Sequence, residues 1–454
     1  MKKERGRTIE VETLDEFDRR VAAGATSMDG WHLQAVDLSG RTEDLERLEV
    51  TGTLFLGCAF ADGVENDLRS RGALLFPVVP DVPVNAYRAA IYSPQELYDG
   101  LESSYEQTPD ARIYAWSQQE ASLDISLAKA LHDHAIDDAL RDCVTGKQLV
   151  GMMGGHALER GSKEYADAAR LAHELAGRGL LVCTGGGPGV MEAANLGAYM
   201  SNYGAADLGE ALDLLAATPI FRPSVGDWAK VAFEVLHRWP EGAESLGIPT
   251  WHYGHEPPNP FATSIAKYFK NAVREDILLH LCAAGIVFLP GAGGTVQEIF
   301  QDACENYYAD PSTVAPMVLV GRDHWTKVVP AWPLLHSLAK GRSMESVAHL
   351  VDHLVDVAPL LAASQAHRVA AEGVEPPRYQ LSRLLEVTRS TEPPGPSGDG
   401  QARFPHRDAG SAGPEHPPGN DHGAIRCSST PDAMPMMLSA GRGTWSNMPR
   451  RSRR

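Results

Sequence analysis

The sequence is short of positive charge: 41 Lys and Arg stand against 59 Asp and Glu, a formal net charge of −18. A surface of that sign repels polynucleotides and anionic membranes, so no nucleic-acid or membrane partner is expected. Any phosphate-bearing ligand has to be held by a local site rather than by a basic field. Cysteine is scarce as well. The six residues Cys58, Cys143, Cys183, Cys282, Cys304 and Cys427 include no CxxC pair and no Cys/His spacing suited to zinc, so no metal site is expected. Cys183 and Cys282 lie in the apolar runs LLVCTGG and LLHLCAAG, where a thiol packs as a small hydrophobe. No apolar run approaches membrane-spanning length, and the opening MKKERGRTIEVETLDEF lacks the apolar stretch of a secretory leader. A cytoplasmic location is the expectation.

What is present is the balance of a folded enzyme, 43% hydrophobic and 22% charged, which argues against a disordered or fibrous chain. Residues 1–116 alternate short apolar runs with turns (WHLQAVDLSG, TGTLFLGCAF, ALLFPVVPDVPV) and contain one clear helical stretch, SPQELYDGLESS. They read as a small α+β domain of their own. Residues 117–144 read as one long amphipathic helix leading into a second domain, 117–365. There the pattern becomes strand–helix alternation. The strand candidates are QLVGMMGG, LLVCTGGG, TPIF, IPTWHYG, GIVFLPGAGG and PMVLVG. The stretches 162–179, 190–201, 224–239, 261–282 and 295–308 between them are helical in pattern. Near-continuous apolar strands alternating with amphipathic helices predict an α/β, Rossmann-like, doubly wound parallel sheet. Further helical pattern covers 343–366, a C-terminal helix is expected within 366–392, and 393–454 holds ten of the 31 prolines and reads as a disordered tail.

Three glycine-rich turns each follow a strand: Gly154-Gly155, Gly185-Gly186-Gly187-Pro188-Gly189, and Gly291-Ala292-Gly293-Gly294. In a doubly wound sheet such turns gather at the carboxyl ends of the strands, where ligands bind. The third opens the helix TVQEIFQDACENYY. Glycine amides plus the unpaired N–H groups of a helix start make an anion site without basic side chains. Gly291, Gly293, Gly294 and Thr295 are therefore phosphate-binding candidates, with the Thr295 hydroxyl free to bind the phosphate or cap the helix. Glu298 follows in the first turn; taken alone, it is better explained as an acid favoured by the helix dipole. Arg274 changes that balance. A helix over 261–282 puts Lys267, Asn271 and Arg274 on one face, just ahead of the phosphate turn. A solvated polar face accounts for Lys267 and Lys270; the aligned Asn271 and Arg274 are ligand candidates. In the second turn, Gly185, Gly186, Gly187, Gly189 and Met191 are candidates too, although GGGPGV is not the GxGxxG dinucleotide fingerprint. Gly155 and His156 at the first turn complete the set, with a plain surface role the commoner fate of a loop histidine.

Together, GGGPGVMEAANLGA and PGAGGTVQE resemble the LOG-type nucleotide phosphoribohydrolases, with signatures GGGxxGxM and PGGxGTxxE. The nearer resemblance is to bacterial pyrimidine/purine nucleotide 5′-monophosphate nucleosidases, which carry a similar NAVRED helix and an additional N-terminal domain. It covers residues 120–362 well and the N-terminal part loosely. The resemblance implies hydrolysis of the N-glycosidic bond of nucleoside 5′-monophosphates, with Arg274 and Glu298 as the catalytic pair and no cofactor. It also implies a nucleotide substrate and a homodimer or higher homo-oligomer, for which the apolar face of the 117–144 helix is available. Departures are Ala292 at the second glycine of PGG and Glu275 where plant cytokinin-activating members have Lys after the arginine. The label lysine decarboxylase, often given to such chains, does not fit, because neither Lys267 nor Lys270 sits on a cofactor-holding loop. The alternative is a non-enzymatic carrier of nucleotide or molybdenum cofactor on the same fold.

Overall fold

A computed structural model describes residues 9–120, 122–252 and 256–363. The amino-terminal part is a four-stranded sheet of β1 (Ile9–Val11), β2 (Trp31–Gln34), β3 (Leu54–Leu56) and β4 (Leu74–Phe76), paired in chain order and all parallel. Parallel neighbours need a crossover, supplied by α1 (Leu14–Ala22), α2 (Thr42–Arg47) and α3 (Val64–Ser70). These three helices escape a sequence reading because each is short and mostly polar, burying only Phe17, Leu45, and Val64 with Leu68. Those side chains close one core with the in-register row Val11, Leu33 and Phe55. Gly30, Gly52 and Gly72, all at positive φ, precede β2, β3 and β4 in turn, so this region repeats one strand–helix unit. Residues of the opposite face, Glu10 and His32, lie near Asp138 of a later helix.

Short helices α4 (Pro94–Leu97) and α5 (Pro109–Ser117) lead to α6 (Leu123–Val144), which starts at the Ser122 cap rather than at 117. The apolar face of α6 is spent inside the molecule: Ala128, Ala135, Ile136, Ala139 and Leu140 are buried in the core. The expected pairing face is thus reduced to the exposed Leu123 and Leu127.

The main sheet has seven strands: β5 (Leu149–Met153), β6 (Leu181–Thr184), β7 (Leu246–Gly247), β8 (Ser264–Ile265), β9 (Ile286–Phe288), β10 (Met317–Val320) and β11 (Ala348–Val351). All are parallel, in the order β11-β10-β9-β5-β6-β7-β8. The connecting helices are α7 (Lys163–Gly177), α8 (Val190–Tyr199), α9 (Ala205–Ala216), α10 (Val225–Arg238), α11 (Asn271–Leu281), α12 (Gly293–Tyr308) and α13 (Ala331–Ala339). The α/β, Rossmann-like fold is present as expected. Because the chain runs outward from β5 on both sides, the strand order reverses between β5 and β9, and the crevice of such a sheet opens there. The turns after β5 and β9 are the Gly154-Gly155 and Gly291–Gly294 turns.

Four local expectations are corrected. TPIF forms no strand, and IPTWHYG contributes only the isolated bridge Thr250↔Tyr268, the strand itself being Leu246–Gly247. Residues 261–270 are not helical; α11 begins at Asn271, and Ser264–Ile265 is the edge strand. Lys267 therefore shares no helix face with Asn271 and Arg274. It is buried against Asp110 rather than solvated. The helical pattern of 343–366 resolves into β11 and a helix that starts at 357. The expected C-terminal helix and the tail of 393–454 lie outside the described residues. Among the described residues no helix is long and apolar enough to cross a membrane.

Candidate functional site

The three glycine turns are one structure. The Gly155 amide donates to the Pro290 carbonyl at 3.1 Å, and the Val190 amide donates to the Gly155 carbonyl at 3.2 Å. Gly189 sits at φ 72, and a Cβ placed there would lie 2.5 Å from the Gly155 carbonyl oxygen. Only glycine permits that approach. At the third turn, His324 Nε2 lies 2.9 Å from the Gly291 carbonyl oxygen and anchors the loop from outside. Thr295 is buried and folds back onto Gly291 rather than capping α12. That helix has no side-chain cap, and Gly293 and Gly294 at its start are exposed.

The second turn is braced from beneath. Thr184 Oγ1 accepts from the Gly186 amide at 2.9 Å and donates to Asn195 Oδ1 at 2.7 Å. Asn259 Nδ2 donates to that same oxygen at 2.9 Å and to the Gly187 carbonyl at 3.1 Å. Every member is buried, so the loop is held by a satisfied polar network that fixes one conformation. Met191 packs beneath Gly185 and Gly187, a supporting position in this structure. Asn195 and Asn259 have no local signal in the sequence: the partners are 64 residues apart.

Arg274 reaches this loop from α11. Its Nη1 lies 3.5 Å from the point where a Gly185 Cβ would stand. The same nitrogen is 3.1 Å from Glu275 Oε2, while the buried Nε has no hydrogen-bond partner among the described residues. Glu298 enters from the first turns of α12. Arg274, Glu275 and Glu298 are only 6%, 2% and 8% exposed. Burial pushes the Glu298 carboxyl up to about 8; Glu275 adds to the rise and Arg274 opposes it. Glu275 is also raised by burial, against Arg274 and an Asn271 hydrogen bond. Asn271 thus serves Glu275. One turn beyond Glu298, Asp302 is buried with Oδ2 lacking a hydrogen-bond partner among the described residues, and burial followed by Glu305 holds its carboxyl well above the ordinary range.

His156 is found elsewhere, half exposed, with Nδ1 3.3 Å from Glu256 Oε1. Both line a cleft of about 520 Å³ with Pro188, Gly189, Phe221 and Arg222. Arg274 and Glu298 do not line it. Beneath it Arg160 and Glu192 form a buried ion pair, with Arg160 Nε 3.0 Å from Glu192 Oε2 and the guanidinium over the Trp228 ring. Glu192 lies in the first turn of α8, so this pair ties the start of that helix to the segment after β5. Among the described residues, no group of three or more His, Cys, Asp or Glu is arranged to hold a metal ion.

Residues 147–209, from just before β5 into α9, match the model of the SLOG cluster4 family. That segment is SLOG-like. No curated protein matches the chain. Among solved structures the chain is similar to the molybdenum cofactor binding protein of the phototrophic bacterium Rippkaea orientalis, at 16% identity and TM-score 0.31, over 48% of this chain and 98% of that one. It is also similar to the molybdenum cofactor carrier protein of Chlamydomonas reinhardtii, at 18% identity and TM-score 0.30, over 49% and 99%. A likeness at this level carries no argument about ligand.

Proposed function

We propose that the protein hydrolyses the N-glycosidic bond of nucleoside 5′-monophosphates, releasing the free base and ribose 5-phosphate. The observation that carries this reading is the buried Arg274 and Glu298 behind the glycine turns, a guanidinium whose Nε has no partner among the described residues and whose charge acts on a carboxyl that burial pushes up to about 8. Cleaving a ribosyl C–N bond puts positive charge on the sugar and negative charge on the departing base. Protonated Glu298 gives its proton to the base as the bond breaks, and the carboxylate so formed faces the oxocarbenium ion. It then takes a proton from the attacking water, so the cycle closes with Glu298 protonated again. Arg274 Nε–H hydrogen-bonds the base as it leaves. The exposed amides of Gly293 and Gly294 hold the 5′-phosphate, whose binding energy positions the sugar. Such an acid is lost above pH 8, so turnover falls on the alkaline side.

The test is to incubate the full chain with AMP, GMP, CMP and UMP, and with adenosine, and to separate the products by chromatography. Free base from monophosphates and none from adenosine is expected. Equal turnover of AMP and adenosine overturns the reading, because the phosphate turn then contributes nothing. Binding of nucleotide without any cleavage selects the carrier alternative.

A further inference from the structure

Glu275 has no place in the sequence-derived candidate set, yet it touches the residue on which the proposed chemistry turns. Neighbouring residues of a helix do not normally face each other. The two side chains nonetheless meet here, Arg274 Nη1 lying 3.1 Å from Glu275 Oε2 as an ion pair rather than a hydrogen bond. Both side chains are more than nine-tenths buried, at 8% and 3% exposure. The same Nη1 lies on the Gly185 turn, 3.5 Å from where a Cβ would stand, and Nε has no hydrogen-bond partner among the described residues. A buried arginine donor left open in this way marks a place where something outside the chain accepts.

We propose that Glu275 is a positioning residue for the hydrolysis proposed above, holding the Arg274 guanidinium against the Gly185 turn with Nε–H open to the departing base. The proposal rests on that reading of the site. Two carboxyls compete for this arginine, Glu275 on α11 and Glu298 on α12. If the guanidinium moved to Glu298, it would stabilise the carboxylate and remove the proton that the base needs. Glu275 opposes this through the ion pair at Nη1, and its proximity adds to burial in holding the Glu298 carboxyl up. The groups acting on Glu298 are thus Arg274 and Glu275; Asp302, further along α12, is influenced by Glu305. Glu275 itself takes no part in proton transfer.

Glu275→Gln keeps the shape and removes the charge. Its kcat is expected to fall about 10²-fold, as for a catalytic group displaced by an ångström, with little change in KM. The alkaline limb of its kcat profile is expected to move to lower pH, because both the loss of Glu275 charge and the freed Arg274 favour ionised Glu298. Glu275→Asp keeps the charge but shortens the reach, so kcat drops while the limb stays within the wild-type range; this variant serves if the glutamine form fails to fold. A merely structural role lowers the melting temperature and leaves kcat and the limb unchanged, and that result overturns the proposal. A readout without substrate separates this failure from failure of the hydrolase reading. The infrared band of the protonated carboxyl, assigned to Glu298 by its loss in Glu298→Gln, is followed against pH in wild type and Glu275→Gln. If the wild type cleaves no nucleotide, the hydrolase reading falls, and the band still decides: a lower midpoint in Glu275→Gln supports the positioning role, and an unchanged midpoint overturns it.

Discussion

The Gly155 amide donates to the Pro290 carbonyl at 3.1 Å, and this bond joins two turns that the chain places far apart. It spans the point where the strand order reverses, between β5 and β9, so it sets the width of the crevice floor. The Val190 amide, bonding to the Gly155 carbonyl, adds the third turn. The candidate site is therefore a property of three glycine turns locked together.

Gly189→Ala should unlock the turns at one atom. The backbone there has φ 72 and ψ −127, a region that side chains rarely enter, at a cost of about 1–3 kcal/mol. The new methyl would also stand 2.5 Å from the Gly155 carbonyl oxygen, which is backbone and cannot rotate away. The expected result is a lower melting temperature together with loss of nucleotide binding by calorimetry. Wild-type binding in this variant would show that the turns tolerate separation.

Glu192→Gln should destabilise the protein more than most single changes. It leaves the Arg160 guanidinium buried beneath the cleft without a counter-charge, and breaking such a pair typically costs about 3–5 kcal/mol. Replacing both residues with apolar side chains of similar volume should recover much of the loss, since no lone charge remains. Urea denaturation of the single and double variants decides; a double variant as unstable as the single one contradicts the account.

Lys267 and Asp110 should behave asymmetrically. Asp110 also accepts from Trp251 Nε1 at 2.9 Å and from the Tyr105 hydroxyl at 2.7 Å, so it keeps two donors when the lysine is lost. Lys267 is completely buried, and burial drives its pKa down while the charge and hydrogen bond of Asp110 oppose the fall. Asp110→Ala should therefore cost clearly more stability than Lys267→Met. Equal losses by thermal melting would mean that the pair acts only as packing.

How much of this was legible beforehand depends on the range of the interactions. The strands LVGMM, LVCT, IVF and MVLV declared themselves because a parallel sheet buried on both faces needs unbroken apolar runs. The glycine turns were visible because close backbone approach has a compositional signature. Lys267 was misplaced because its i, i+4, i+7 spacing to Asn271 and Arg274 imitates a helix face, whereas its partner Asp110 is 157 residues away. AHLV read as helix because its neighbours are helical, and only pairing with β10 makes it a strand. Glu275 stands out in the sequence only as a departure from a motif; its contact with Arg274 joins chain neighbours, which no helix spacing rule reports.

Glu298→Gln separates a catalytic acid from a helix-dipole acid by the sign of two effects. The folded protein holds the Glu298 proton far more tightly than the unfolded chain does, about 8 against an ordinary 4.5. Stability lent by that proton is whole below pH 4.5 and is lost as pH rises through about 8, each unit of difference being worth about 1.4 kcal/mol. A glutamine cannot ionise, so the variant escapes this loss. Its stability should match wild type near pH 4.5 and exceed it at pH 8.5, while turnover falls about 10²–10³-fold because the proton for the base is gone. An acid that merely complements the α12 dipole would be ionised at neutral pH. Its neutralisation would then cost about 0.3–1 kcal/mol there and leave turnover nearly unchanged. Melting curves at the two pH values, beside turnover of the same preparations, discriminate the cases. A variant less stable than wild type at pH 8.5, with near-normal turnover, would return Glu298 to the role of a helix-start acid.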